Sequence, residues 1–145
     1  MDFKLICLSQ FVLTWMLVGL TWFVQLVHLP LLEKIKEGFV QYERSYLKKV
    51  SLLVGPLMFF EAISAVFLFR LAKRGIESHL ATTNLIALIV IWLSIFLFQV
   101  VLHQKLSIRF SRKTLDALVV TNWVRTILTT LKGIVMLVLL DFILM

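Results

Sequence analysis

The chain alternates long apolar runs with short charged stretches, and the run lengths predict its elements. No Asp, Glu, Lys or Arg stands between Leu5 and Leu32. Charge then crowds into Glu33 to Lys49. Apolar residues return from Val50 to Phe69, with Glu61 as the one charged residue among them. A third run, from about Thr82 to His103, carries no Asp, Glu, Lys or Arg. A fourth opens near Leu115 and reaches Phe142, with Arg125 and Lys132 deep inside it. A helix needs about 20 apolar residues to cross the hydrocarbon core. The pattern therefore predicts four spans, at about 3–29, 50–71, 82–103 and 115–142. The predicted fold is all-α: a four-transmembrane-helix bundle forming one integral membrane domain over 1–145, without a Pro-, Gly- or Ser-rich linker.

Local signals refine this plan. Pro30 is expected to end the first span. Pro56, beside Gly55, removes a backbone donor and predicts a kink in the second span. In the first loop, Phe39, Tyr42 and Tyr46 recur at i, i+3 and i+7 among charged residues. That spacing predicts a short interfacial helix in the first loop, with its tyrosines at headgroup level. The fourth run exceeds the needed length, so it is expected to tilt or to begin in the interface.

Composition agrees with burial in lipid. Hydrophobic residues make up 61% of the chain and mean hydropathy is +0.99, against about 45–50% for soluble domains. The net charge of +7 does not point to nucleic acid, because the basic residues sit in short loops between spans. Lys34, Lys36, Arg44, Lys48 and Lys49 in loop one and Lys105, Arg109, Arg112 and Lys113 in loop three share one side. Lys4, Arg70, Lys73 and Arg74 share the other. The positive-inside rule then places loops one and three in the cytoplasm and both termini outside. The single cysteine, Cys7, allows no internal disulfide and reads as a small hydrophobe. The first run is too long for a signal peptide and is expected to stay as a helix.

Polar residues inside the spans are the candidate chemistry, because charge in a span is costly and usually faces a partner or a cavity. Gln10, Thr14, Thr21, Gln25 and His28 fall within about 60° of arc at about 100° per residue. Such a stripe is expected to face the bundle interior. Trp92, Phe96, Gln99 and His103 form a second polar-aromatic face, and Gln99 with His103 parallels Gln25 with His28. Counted from Val50 and Leu115, Glu61 and Arg125 both lie roughly 15 Å deep, so an ion pair between them is expected. Asn122 and Thr129 share the Arg125 face, and Met58 lies on the Glu61 side. By depth, Gln25, His28, Met58, Glu61, Gln99, His103, Asn122 and Arg125 are expected to converge on one pocket, floored by Trp22 and Trp92. Lys132 lies deeper and either snorkels outward or lines the far end.

These groups fit more than one chemistry. His28 and His103 on facing helices are a candidate pair for a b-type haem, or for copper or zinc with Met58 or Glu61 added. A cofactor-free site fits equally well, with His28 or Glu61 as base and Arg125 stabilising an oxyanion. The candidate catalytic set is His28, Glu61, His103 and Arg125. One reading is a membrane oxidoreductase or cofactor-binding protein acting on a lipophilic or aromatic small molecule. The other is a non-catalytic membrane subunit or small transporter whose buried charges serve packing or proton and solute passage. The lipid bilayer is the expected partner. Self-association or entry into a larger membrane complex stays open, since no small-x-x-x-small motif argues for either.

Several segments resemble a known group. Trp22-Phe-Val-Gln-Leu-Val-His-Leu-Pro30, Phe39-x-x-Tyr42-Glu43-Arg44, Gly55-Pro-Leu-Met-Phe-Phe-Glu61, Gln99-x-x-x-His103 and Thr121-Asn-Trp-Val-Arg125 resemble an uncharacterised bacterial family of small four-helix integral membrane proteins. More distantly, the architecture is similar to the anthrone-oxygenase-like family and to copper-resistance D and protoporphyrinogen-oxidase J type membrane proteins. The resemblance implies a bacterial cytoplasmic (inner) membrane and an association with copper or haem, for which His28 and His103 are the ligands available. The bacterial group often carries a further histidine after the loop-one tyrosine. Here Glu43 and Ser45 stand there, which weakens a metal site in that loop.

Overall fold

The computed structural model describes residues 2–73 and 75–144. Among these the fold is all-α. Four helices are long and apolar enough to cross a membrane: the first at Phe3–Leu32, the second at Phe39–Leu71, the third at Ile76–Leu106 and the fourth at Arg112–Leu144. At 30 to 33 residues each is about 45–50 Å long and overhangs a hydrocarbon core of about 30 Å. Fewer than a third of the residues in each apolar window are buried inside the bundle. The remaining apolar side chains, Phe59, Phe60, Leu97 and Ile127 among them, point outward and need lipid to cover them. The chain is thus built as a multi-pass membrane protein.

Short connections fix the topology. Asp2 caps the first helix through the Lys4 amide, at 3.1 Å. The second helix starts at Gly38, whose φ of 69° is one that glycine adopts without strain. Helices adjacent in sequence pack side by side, and the fourth closes against the first. Loops one and three meet at one end, where Arg44 donates to the Ser107 carbonyl at 2.8 Å and Phe39 packs edge-on to Phe110 at 4.8 Å. The termini and loop two share the other end, which is sealed by Cys7, Leu68, Ala81, Met136 and Leu139. Arg74, counted above among the basic residues of loop two, lies outside the described residues.

Two sequence expectations change here. No separate interfacial helix forms in the first loop. Residues from Phe39 onward are helical, but they run unbroken into the second span as far as Leu71. No glycine or proline interrupts Phe39 to Val54, so nothing stops the helix at the membrane edge. Pro30, in turn, does not end the first helix, which continues to Leu32. A π turn at Val24–His28 precedes it, with the Leu29 amide reaching the Val24 carbonyl. Proline then falls in the first turn of the resumed α-helix, where no donor is required of it. A second π turn occupies Ile95–Gln99 in the third helix. The second helix stays continuous through Pro56.

The first and fourth helices approach closely at Gly133. A Cβ there would stand 3.2 Å from the Val18 side chain and 3.4 Å from Trp15. This close approach brings the neighbouring Lys132 into the bundle centre.

Candidate functional site

All five polar residues of the first-helix stripe are buried: Gln10, Thr14, Thr21, Gln25 and His28. The stripe meets buried polar groups of the other helices in three places.

The first lies on the bundle axis. Glu61 of the second helix and Lys132 of the fourth sit diagonally across the ring and form an ion pair through Glu61 Oε1. The lysine is long enough to reach across and is almost wholly enclosed. Thr14 donates to Glu61 Oε1 at 3.0 Å, and Lys132 Nζ also donates to Thr14 Oγ1 at 3.0 Å. Gln10 donates to Thr14 at 3.4 Å and accepts from Ser64, whose hydroxyl also reaches the Glu61 carbonyl. Glu61 is therefore paired with Lys132, not with Arg125, and Lys132 does not snorkel. The depth count misled because it began at the first apolar residue of each run. From the true helix starts, Glu61 is 22 residues in and Lys132 is 20, a difference of about 3 Å. Arg125 is only 13 in.

The second place is at the loop end. The His28 ring stacks on Tyr46 at 3.8 Å, Tyr42 lies in the same stack, and Tyr46 also approaches His103 at 5.9 Å. His103 Nδ1 pairs with the fully buried carboxylate of Glu43. His28 Nε2 and Glu43 Oε2 are buried without hydrogen-bond partners. The two histidines are thus brought to the same tyrosine.

The third is a small cavity between these two clusters. Its volume is about 20 Å³, and Leu17, Thr21, Met58, Glu61, Ile91, Trp92, Ile95, Arg125 and Thr129 line it. Arg125 is half-buried. Its Nε, like the Trp92 Nε1, is enclosed without a hydrogen-bond partner. No carboxylate among the described residues pairs with it. A larger groove of about 590 Å³ lies at the surface beside Gly38 to Ser45 and holds none of the predicted site residues.

The expected single pocket is therefore divided. Met58, Glu61, Trp92 and Arg125 share the cavity. Gln25 and Asn122 pair with each other at 2.7 Å, and Gln99 bonds to Thr121 at 2.9 Å. Trp22 is no floor of the cavity. It donates to Thr130 at 3.0 Å and packs edge-on to Trp123, between the first and fourth helices.

The two histidines are engaged separately, His28 in the tyrosine stack and His103 by Glu43. Among the described residues no three His, Cys, Asp or Glu side chains converge where a metal ion could be held. The cavity is lined by neither histidine, and its volume is far below the roughly 300–1,000 Å³ of sites that enclose small molecules.

Sequence reasoning missed Glu43, Ser64 and Asn84 as buried polar groups, the half-buried Tyr46 as a stacking partner of His28 and Lys132 as the ion-pair partner. One signal was present: Glu43 and Glu61 are 18 residues apart, five full turns, so one face of a continuous helix carries both. Asn84 is fully buried and neither of its side-chain polar atoms is partnered; no pattern in the third run marks it. Compared with known proteins, the chain matches no protein-family model, no curated protein and no solved structure.

Proposed function

We propose that the chain is a membrane protein that binds a lipophilic molecule drawn laterally from the bilayer, with the ligand's polar head in the cavity beside Arg125. The observation that carries this reading is the cavity's make-up. Its floor holds Arg125, which has no partner, while Met58, Trp92 and Ile95 in its wall are only half-buried. Those three belong to the second and third helices, so the cavity wall is continuous with the lipid-facing surface. Orphaned buried polar atoms mark places where a ligand or water completes the hydrogen bonding. Binding suits these groups better than catalysis. Glu61 is engaged by Lys132 and Thr14, and His103 by Glu43, while His28, whose Nε2 is free, does not line the cavity. The excess of Lys and Arg on loops one and three favours a cytoplasmic side for that end.

A photoreactive alkyl probe in nanodiscs tests the reading. Saturable labelling at Met58, Trp92 or Ile95, blocked by Met58→Trp, is expected. Labelling confined to outward residues such as Leu52 and Leu97, and unchanged by Met58→Trp, contradicts it.

A second reading has its own observation. The Glu61–Lys132 network joins Gln10, Thr14 and Ser64 with no side-chain atom among them left buried and unpartnered. That is the arrangement of a packing clamp in a non-catalytic subunit. It explains Glu61 and Lys132, and it leaves Arg125 unexplained.

A further inference from the structure

The cavity's electrostatics narrow the ligand class, on the premise that the cavity takes a lipophile. Glu61 and Lys132 form one ion pair and neutralise each other. Arg125 then leaves one uncompensated positive charge on the same cavity, with no carboxylate partner among the described residues. A cation held in a low-dielectric interior is stabilised by an anion far more than by a neutral acceptor. The remaining free groups are also donors: Arg125 Nε and Trp92 Nε1 are both enclosed and unpartnered, and both residues line the cavity. Two donors and a net positive charge call for an acceptor-only, negatively charged head.

Size selects among anionic heads. About 20 Å³ is room for roughly one water. A carboxylate oxygen replacing that water fits, whereas a phosphodiester carrying a glycerol headgroup does not. The wall beside Met58, Trp92 and Ile95 is half-buried, which gives an acyl chain a way out to the hydrocarbon. The enclosed Arg125 Nε can donate a charge-assisted hydrogen bond to that one carboxylate oxygen.

We propose that the cavity lined by all four helices binds a long-chain carboxylate of the fatty-acid type, its head on Arg125 with Trp92 as a second donor and its chain passing between Met58 of the second helix and Ile95 of the third into the bilayer.

The test uses the full chain in phosphatidylcholine nanodiscs, with oleate and oleyl alcohol as probes and native mass spectrometry or calorimetry as readout. Wild type is expected to bind oleate saturably and better than the alcohol. Arg125→Gln should weaken oleate by about tenfold or more and leave the alcohol unchanged. Arg125→Lys, which keeps the charge but loses the Nε donor, should fall between. Arg125→Gln is expected to fold, because it strands no ion-pair partner, and its thermal midpoint checks this. Equal binding of the alcohol, or oleate binding unchanged in Arg125→Gln, overturns the anionic head and leaves lipophile binding standing. Preferential retention of phosphatidylglycerol over oleate overturns the carboxylate in favour of a phosphate. Saturable binding of neither probe removes this proposal and the binding reading together.

Discussion

Replacing Lys132 with methionine separates the pairing seen here from the one depth counting predicts. Lys132 Nζ contacts Glu61 and Thr14 and is enclosed. In Lys132→Met the Glu61 carboxylate keeps only the Thr14 hydroxyl as a side-chain donor. Stranding one member of a buried ion pair costs about 3–5 kcal/mol. Removing both charges, in Glu61→Leu with Lys132→Met, leaves no uncompensated charge, and the double variant should return to within about 1–2 kcal/mol of wild type. The coupling between the two sites is then about 4 kcal/mol or more, above the roughly 0.3–0.5 kcal/mol scatter of independent sites. The cycle of Glu61→Leu with Arg125→Met should show clearly weaker coupling than that of Glu61 with Lys132, because these residues share a cavity but no ion pair. Unfolding in mixed micelles, followed by tryptophan fluorescence, measures both cycles. Strong coupling of Glu61 to Arg125 and none to Lys132 would refute the reasoning, as would a Lys132→Met variant as stable as wild type.

Other expectations follow from single contacts. Gly133→Leu should destabilise the bundle by about 1–3 kcal/mol through overpacking, since even a Cβ crowds Val18 and Trp15; the same micelle titration reads it. His103→Ala leaves the fully buried Glu43 without its partner and should cost about 3 kcal/mol, with Glu43→Gln losing less because no unpaired charge remains. Breaking the Gln25–Asn122 bond with Asn122→Leu should cost about 0.6 kcal/mol and no more than about 1.7 kcal/mol, the average and maximum for interhelical hydrogen bonds in membranes. A loss above about 3 kcal/mol would assign that pair a larger part than its 2.7 Å contact supports.

The architecture was legible because hydropathy is a sum over many residues. Four runs of about 20 apolar residues leave little choice but four spanning helices, and the buried face of the first is set by a strict helical spacing of Gln10, Thr14, Thr21, Gln25 and His28. The pairings were harder to read because each depends on where a helix begins and on side-chain reach. The charged stretch from Glu33 to Lys49 resembled a loop, so the eleven helical residues from Phe39 to Lys49 were left out of the depth count. That omission lowered Glu61 relative to the fourth helix and matched it to Arg125. It also hid Glu43 and Tyr46, which become interior residues only when their helix continues into the span. The π turns at Val24–His28 and Ile95–Gln99 each insert a residue and rotate the face beyond. No ideal-helix count foresees this.

The central claim is that a lipophile occupies the cavity beside Trp92. Its most direct test is the indole N–H spectrum of protein labelled with nitrogen-15 at its four tryptophans, in nanodiscs titrated with a spin-labelled alkyl carboxylate. Trp15 and Trp123 face outward and should broaden in proportion to probe. Trp22, packed edge-on to Trp123 at 5.8 Å, should broaden with it. Trp92 should broaden saturably and recover when excess unlabelled carboxylate is added. A Trp92 signal that broadens without saturation like those of Trp15 and Trp123, or that fails to recover when excess unlabelled carboxylate is added, would contradict the account.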